Sequence, residues 1–263
     1  MSPTTAIPAG RGATAQRARR AWRRLTLTEL KLLARTPAVL FWGIGFPVAG
    51  LIVLGLIPGT GKPVKAFGGA SVLQTYLPII ITFMIIMTSV NFLPTTLASY
   101  RERGVLRRMF TTPITPQALL GADLVLTLGV QVATTALIVI LAAGAFTASI
   151  GQPLAFLVAL GLTATAASTL GLLVAAVSFT AKAANALGAV LFFVLMFFSG
   201  LWLPRPEMPA WLRGISDATP TGSGVQAVGN ALAGHWASGL FFGVLAAWIA
   251  VCGALAIRFF RWQ

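Results

Sequence analysis

Side chains able to do chemistry are few in this chain and unevenly placed. Cys252 is the only cysteine and His235 the only histidine, which excludes an intrachain disulfide, a cysteine metal cluster and a histidine relay. No carboxylate pair and no nucleophile–base arrangement stands out among the five acidic residues. Asp123 lies within a long apolar run, where a carboxylate is a functional candidate. It also falls in the second turn of its expected helix, where the dipole favours negative charge and water is near. Pairing with an arginine and simple placement at a helix start both remain open for it. Pro58-Gly-Thr-Gly-Lys62-Pro63 resembles a phosphate loop only in passing. The glycine required five positions before Gly61 is Leu56, and Pro63 replaces the hydroxyl that would hold magnesium.

The densest cluster of charge is Tyr100 to Pro116. Arg101, Glu102, Arg103, Arg107 and Arg108 lie between two long apolar runs, and Val105, Leu106, Met109 and Phe110 fall on one face of a short helix. Thr115-Pro116 then starts the next helix, with proline where its missing N–H costs nothing. A short element that is both basic and apolar can lie among lipid headgroups or plug into a protein partner.

The elements that position this segment are membrane spans. Of 263 residues, 57% are apolar and 9% charged, far below the charge content of soluble domains. Six runs are expected to cross: about 39–57, 77–97, 119–146, 154–179, 186–203 and 238–257. Residues 1–20 read as a disordered basic cytoplasmic tail, and 21–263 as one transmembrane domain. Residues 21–35 form an interfacial segment in which the capping box Thr26-Leu-Thr-Glu29 starts a helix at Leu27, ended by Thr36-Pro37. Thr180 to Asn185 reads as a tight polar turn. The fourth run is rich in Ala, Gly, Ser and Thr, which lets helices approach closely, and Gly239 and Gly243 offer a further packing pair. Pro204, Pro206 and Pro209 break the chain, and Trp211, Leu212 and Ile215 share a face. Together with a second short helix after Pro220, they predict a re-entrant hairpin in the outer half of the membrane before the last span. No repeat relates the two halves.

The net charge of +14 lies outside the apolar runs. It is explained by orientation and anionic lipid, with no need for nucleic acid. Eight of the nineteen Lys and Arg precede the first span, four follow the second, one follows the fourth and two end the chain. Only Lys62, Lys65, Arg205 and Arg213 fall on the other side. That split predicts a multi-pass protein of a cell membrane with both termini, and Tyr100–Pro116, in the cytoplasm. Thr88, Ser89 and Asn91 on the second span and Phe193, Phe197 and Phe198 on the fifth are the candidates for a substrate path. An apolar, aromatic path suits hydrophobic or amphiphilic molecules. An ion-driven transporter would carry ionisable groups deep in its spans, and only Asp123 comes near that.

Nearly the whole chain from Ala21 resembles the permease subunit of type-2 ABC exporters, the family of daunorubicin-resistance and polysaccharide-export permeases. The resemblance rests on Arg101-Glu-Arg-Gly104 followed by Leu106-Arg-Arg108 and Thr112-Pro113. It rests also on Leu203-Pro204, Pro209-Ala-Trp-Leu212 and Pro220, the preceding interfacial helix and the six spans. It implies an all-α membrane protein with a cytoplasmic coupling helix at Tyr100–Pro116, where the family often has a further acidic residue and this chain has arginine. The implied partners are two copies of an ABC ATPase, which bind the ATP and Mg, and a second permease, identical or related. This chain would carry no cofactor, metal or catalytic residue of its own. Arg101, Glu102, Val105, Leu106, Arg107, Arg108, Met109 and Phe110 would form the ATPase contact, with Glu102 bonding back to Lys31 or Arg35. The implied activity is export of a drug or natural product. A lipid-linked glycan is the alternative cargo, disfavoured by the presence of only two tyrosines.

Overall fold

The structure is a computed structural model, which describes residues 37–67, 69–104, 116–146 and 150–259. The described residues are almost wholly helical. Helix α1 runs through Pro37–Leu40, a π-turn at Phe41–Gly45 and Phe46–Leu56. Helix α2 is Val72–Glu102, with a π-turn at Met87–Phe92. Then follow α3 (Pro116–Phe146), α4 (Pro153–Val177), α5 (Ala181–Ser199), the short α6 (Ala210–Ala218) and α7 (Pro220–Leu232), and α8 (Gly239–Phe259). Five helices are long and apolar enough to cross a membrane: α2, α3 from Gly121, α4, α5 and α8. The apolar Phe41–Leu56 stretch of α1 is shorter. The protein is therefore a multi-pass membrane protein. The expected interfacial helix over 21–35 lies outside the described residues.

Several boundaries differ from the sequence expectation, each for a local reason. The second span begins at Val72 because Ser71 and Gln74 form a capping box. The Ser71 hydroxyl accepts from the Gln74 N–H at 3.1 Å, and Gln74 Oε1 accepts from the Ser71 N–H at 3.0 Å. Residues 181–185 are helix instead of turn, because the Thr180 hydroxyl accepts from the Ala183 N–H at 3.1 Å and starts α5 early. That helix ends at Ser199, because Gly200 adopts φ +91° and terminates it in the left-handed conformation. Gly239 and Gly243 face open space, so this pair packs no helix among the described residues.

The long helices alternate in direction. Call the end carrying Gly104 the near end and the end carrying loop 57–71 the far end. α2 is the most buried of the long helices, and α8 the least. Around α2 sit α1, α3, α4, α5 and α7. The core runs along it from Leu73 through Ile81, Met84 and Ile86 to Val90, and meets Phe156, Ala167 and Val174 of α4 and Met196 of α5. α4 packs most extensively on α8 and α7. Its small residues allow this: a Cβ added at Gly224 of α7 would meet Thr163 of α4 at 2.6 Å.

α6 and α7 form a helical hairpin joined at Thr219. The Thr219 hydroxyl accepts from the Gly222 N–H at 3.0 Å and starts α7. The turn is held below the far end of its neighbours. Ser216 Oγ donates to Phe198 O at 2.6 Å, Thr221 Oγ1 to Leu195 O at 2.8 Å, and Trp248 Nε1 to Ala218 O at 2.9 Å. Trp248 is nine residues along α8 from Gly239, so this turn lies roughly 14 Å from that helix start, at 1.5 Å per residue. α7 then returns to the far end, where Gly151 N–H donates to Leu232 O at 3.1 Å.

The π-turns have a common cause. Phe46 N–H donates to Phe41 O, and Leu93 N–H to Thr88 O, each five residues back. The next residues are Pro47 and Pro94. Proline lacks the N–H that the carbonyl four residues earlier needs, and its ring crowds that carbonyl. Widening the turn by one residue relieves the clash while keeping the helix continuous. The two widened turns lie against each other.

Candidate functional site

The near end of α2 is set by its last turn. Arg103 N–H donates to Ser99 O and Gly104 N–H to Arg101 O, both at 3.0 Å. Gly104 adopts φ +64°, the left-handed conformation that ends a helix and that only glycine enters cheaply. The chain thus turns sharply out of α2 at the start of the basic segment. Glu102 and Arg103 are exposed there. Val105, Leu106, Arg107, Arg108, Met109 and Phe110 lie outside the described residues.

Arg101 turns back into the bundle. Its Nη1 donates to Ser178 O at 3.0 Å and its Nη2 to Ala175 O at 3.2 Å. These are carbonyls of the last turn of α4, which point past the helix end with no intrahelical donor. A guanidinium supplies both hydrogen bonds and opposes the negative end of the helix dipole. The side chain therefore ties the start of the basic segment to the end of α4. Leu93 and Leu97 of α2 pack with Ala175 just inside this tie.

Thr88, Ser89 and Asn91 are buried in the π-turn of α2. Gln131 of α3 reaches them: its Nε2 donates to Thr88 Oγ1 at 2.9 Å and Ser89 Oγ at 2.8 Å, with Ile85 O at 3.3 Å. Thr88 Oγ1 donates in turn to Met84 O at 2.9 Å, and Ser89 Oγ meets Ser168 Oγ of α4 at 3.2 Å. Asn91 Nδ2 donates to Met87 Sδ at 3.5 Å. The turn's own carbonyls face glycine. A Cβ at Gly171 of α4 would collide with Ser89 O, and one at Gly188 of α5 would collide with Val90 O. Close approach of this kind lets a Cα–H stand in for the donor that Pro94 lacks.

Phe193 and Phe197 lie on the opposite, exposed side of α5, with Phe198 half-buried beside them. Phe193 stacks on Trp202 at 6.1 Å between centroids, and Phe197 meets Phe198 edge-on at 5.5 Å. The two sets of expected path residues are therefore not brought together within one chain. Asp123 is buried on α3. Gln131, Gly171 and Gly188 were not singled out by the sequence, although Gln131 is the only carboxamide between residues 119 and 146. The loop at 57–71 closes on itself through an isolated Pro63–Ser71 bridge and a 3₁₀ turn at Lys65–Phe67. No helix follows Lys62 directly, as a phosphate loop would require.

The family described as ABC-2 type transporter matches residues 20–232, from ahead of α1 through the end of α7. A daunorubicin-resistance ABC transporter permease protein of Streptomyces coeruleorubidus is 28% identical over 211 residues, covering 74% of this chain and 73% of that protein. With four-fifths of its length matched by the family, this chain belongs to the ABC-2 type transporters, as a membrane-spanning permease.

Proposed function

We propose that this permease exports a hydrophobic or amphiphilic drug or natural product, driven by two copies of a separate ABC ATPase that bind ATP and Mg. The observation that carries the reading is the family match, which spans the basic segment and both helices flanking it. The drug-resistance permease that this chain resembles supports the cargo class. In this reading Tyr100–Pro116 is a cytoplasmic coupling helix, and both termini are cytoplasmic, as the distribution of Lys and Arg favours. α1 is the first of six spans. The α6–α7 hairpin is re-entrant from the outer face, and loop 57–71 lies outside.

Val105, Leu106, Met109 and Phe110 anchor in the ATPase, Arg107 and Arg108 set register at its rim, since interface charges specify more than they bind, and Glu102 bonds back to the interfacial helix. Arg101 has a different task. Its bonds to Ala175 O and Ser178 O carry a push on the coupling helix into α4 as well as α2. The path runs between two permeases, lined by Phe193, Phe197 and Phe198. Thr88, Ser89 and Asn91 hold the π-turn behind it.

Reconstitution with the ATPase tests this. Phe110→Ala is expected to leave insertion and ATP hydrolysis intact while transport falls about tenfold or more, the effect of losing one buried aromatic anchor. Normal transport at matched protein level would overturn the coupling role.

A further inference from the structure

A cavity of about 630 Å³ opens at the far end between α2, α7 and the Arg205 turn. Its size suits a small-molecule site. The floor is apolar and buried: Leu73 and Leu77 of α2 and Val225 of α7. Above the floor stand Gln74 of α2 and Gln226 and Asn230 of α7, the latter two four residues apart and so on one face. Their hydrogen-bonding capacity is largely unused among the described residues. Gln74 Oε1 accepts from the Ser71 N–H and Asn230 Nδ2 donates to Gln226 O at 2.7 Å. The Gln74 amide N–H groups, Asn230 Oδ1 and the whole Gln226 carboxamide remain for a ligand. Among the described lining residues Arg205 is the one cation, and it is already committed. It forms a bidentate ion pair with Asp217 and sits 6.0 Å from the Phe241 ring centroid.

From this arrangement we infer that the cavity binds the uncharged, hydroxyl-rich head of an amphiphile. Carboxamides offer donors and acceptors together, which is what a hydroxyl needs. With Arg205 neutralised, a charged head finds no partner to offset its lost hydration. The apolar floor takes the first part of the tail. The inference rests on the proposed outward placement of the far end.

Cys252 is the lone cysteine and is buried, so Cys252→Ala gives a background for one reporter thiol. Ala233 is exposed at the cavity rim. The thiol introduced by Ala233→Cys is labelled with a membrane-impermeant maleimide, with the permease in its complex in phosphatidylcholine nanodiscs. Three ten-carbon probes are compared below their micelle concentrations: decyl maltoside, decyl sulfate and decyltrimethylammonium. Decyl maltoside is expected to slow labelling and the two charged probes to leave it unchanged. Gln226→Leu with Asn230→Leu should raise the maltoside concentration needed by about tenfold or more, as for two lost hydrogen bonds.

Equal protection by all three probes, or none by maltoside, would overturn the inference without recourse to the double variant. Adding ATP and Mg separates two sources of such a head. Protection that falls with turnover marks cargo in transit, and protection that persists marks an outer-leaflet lipid. Labelling in intact cells tests orientation separately. A thiol reached only after permeabilisation would contradict the proposed topology and leave the nanodisc comparison standing.

Discussion

Single side chains carry two distinct kinds of work here. Arg101 is a tether: its two hydrogen bonds join the end of α2 to the end of α4. Arg101→Ala removes both donors and leaves the carbonyls at the α4 terminus to water. We expect the ATPase still to co-purify with this variant and transport per ATP hydrolysed to fall severalfold, read in proteoliposomes. Unchanged transport stoichiometry would limit Arg101 to a cap. Gly171 is a spacer. Any Cβ there meets the Ser89 carbonyl, and backbone gives way less readily than a side-chain tip. Gly171→Ala should destabilise the fold by about 1–3 kcal/mol, the usual cost of overpacking, measured by thermal unfolding in detergent. Gly161 is the control: it lies on the same helix with nothing within 4 Å of an added Cβ, so Gly161→Ala should be neutral or stabilising.

Among the elements, the π-turn of α2 is the central device. Pro94 withholds an N–H, the helix widens, and Gln131, Gly171 and Gly188 from three different helices close on the widened turn. Pro94→Ala restores the donor and permits an ordinary α-turn. The helix below would then rotate by about 100°, one residue of an α-helix, which would turn Arg101 away from the α4 carbonyls. We expect folding to persist and coupled transport to fall, with altered cross-linking between cysteines placed on α2 and α4. Identical cross-links and full transport would show the π-turn to be incidental.

Much of this architecture was legible in the sequence. Long apolar runs, the Pro-rich stretch at 204–209 and the Ala-rich fourth run predict helices close to those observed. The Ser71–Gln74 capping box is readable in the sequence and starts α2 five residues ahead of the apolar run expected at 77–97. Thr180 is legible as a cap, but Lys182 and Asn185 make the stretch polar and give it the composition of a turn. The π-turns were signalled only by Pro47 and Pro94 inside apolar runs, and hydrophobic periodicity cannot separate a kink from a widened turn. The burial of Thr88, Ser89 and Asn91 was not legible at all. It depends on which face of α2 meets α3 and α4, and α2 is apolar nearly all round.

At the scale of the whole molecule, the described helices form a bundle whose exposed surface is strongly apolar, as a bilayer or a second copy demands. Leu240, Val251 and Ile257 of α8 and Phe193 and Phe197 of α5 face outward. Among the described residues, buried polar side chains gather at the π-turn of α2 and again at the α6–α7 turn. The basic segment begins at one end and the carboxamide-lined cavity opens at the other, roughly 46 Å apart along the 31 residues of α2; under the proposed function, energy enters at the first and cargo leaves by the second. ATP-driven export by this permease requires an ATPase docked at Tyr100–Pro116. The most direct measurement is a detergent pull-down of the tagged permease from its native cells, beside the variant carrying Met109→Glu and Phe110→Glu. We predict that an ABC ATPase co-purifies with the parent and is lost from the variant, because two carboxylates in an apolar docking face go unpaired on binding. Retention of the ATPase by the variant would contradict the docking role of this segment, and its absence from both would contradict an ATP-driven exporter altogether.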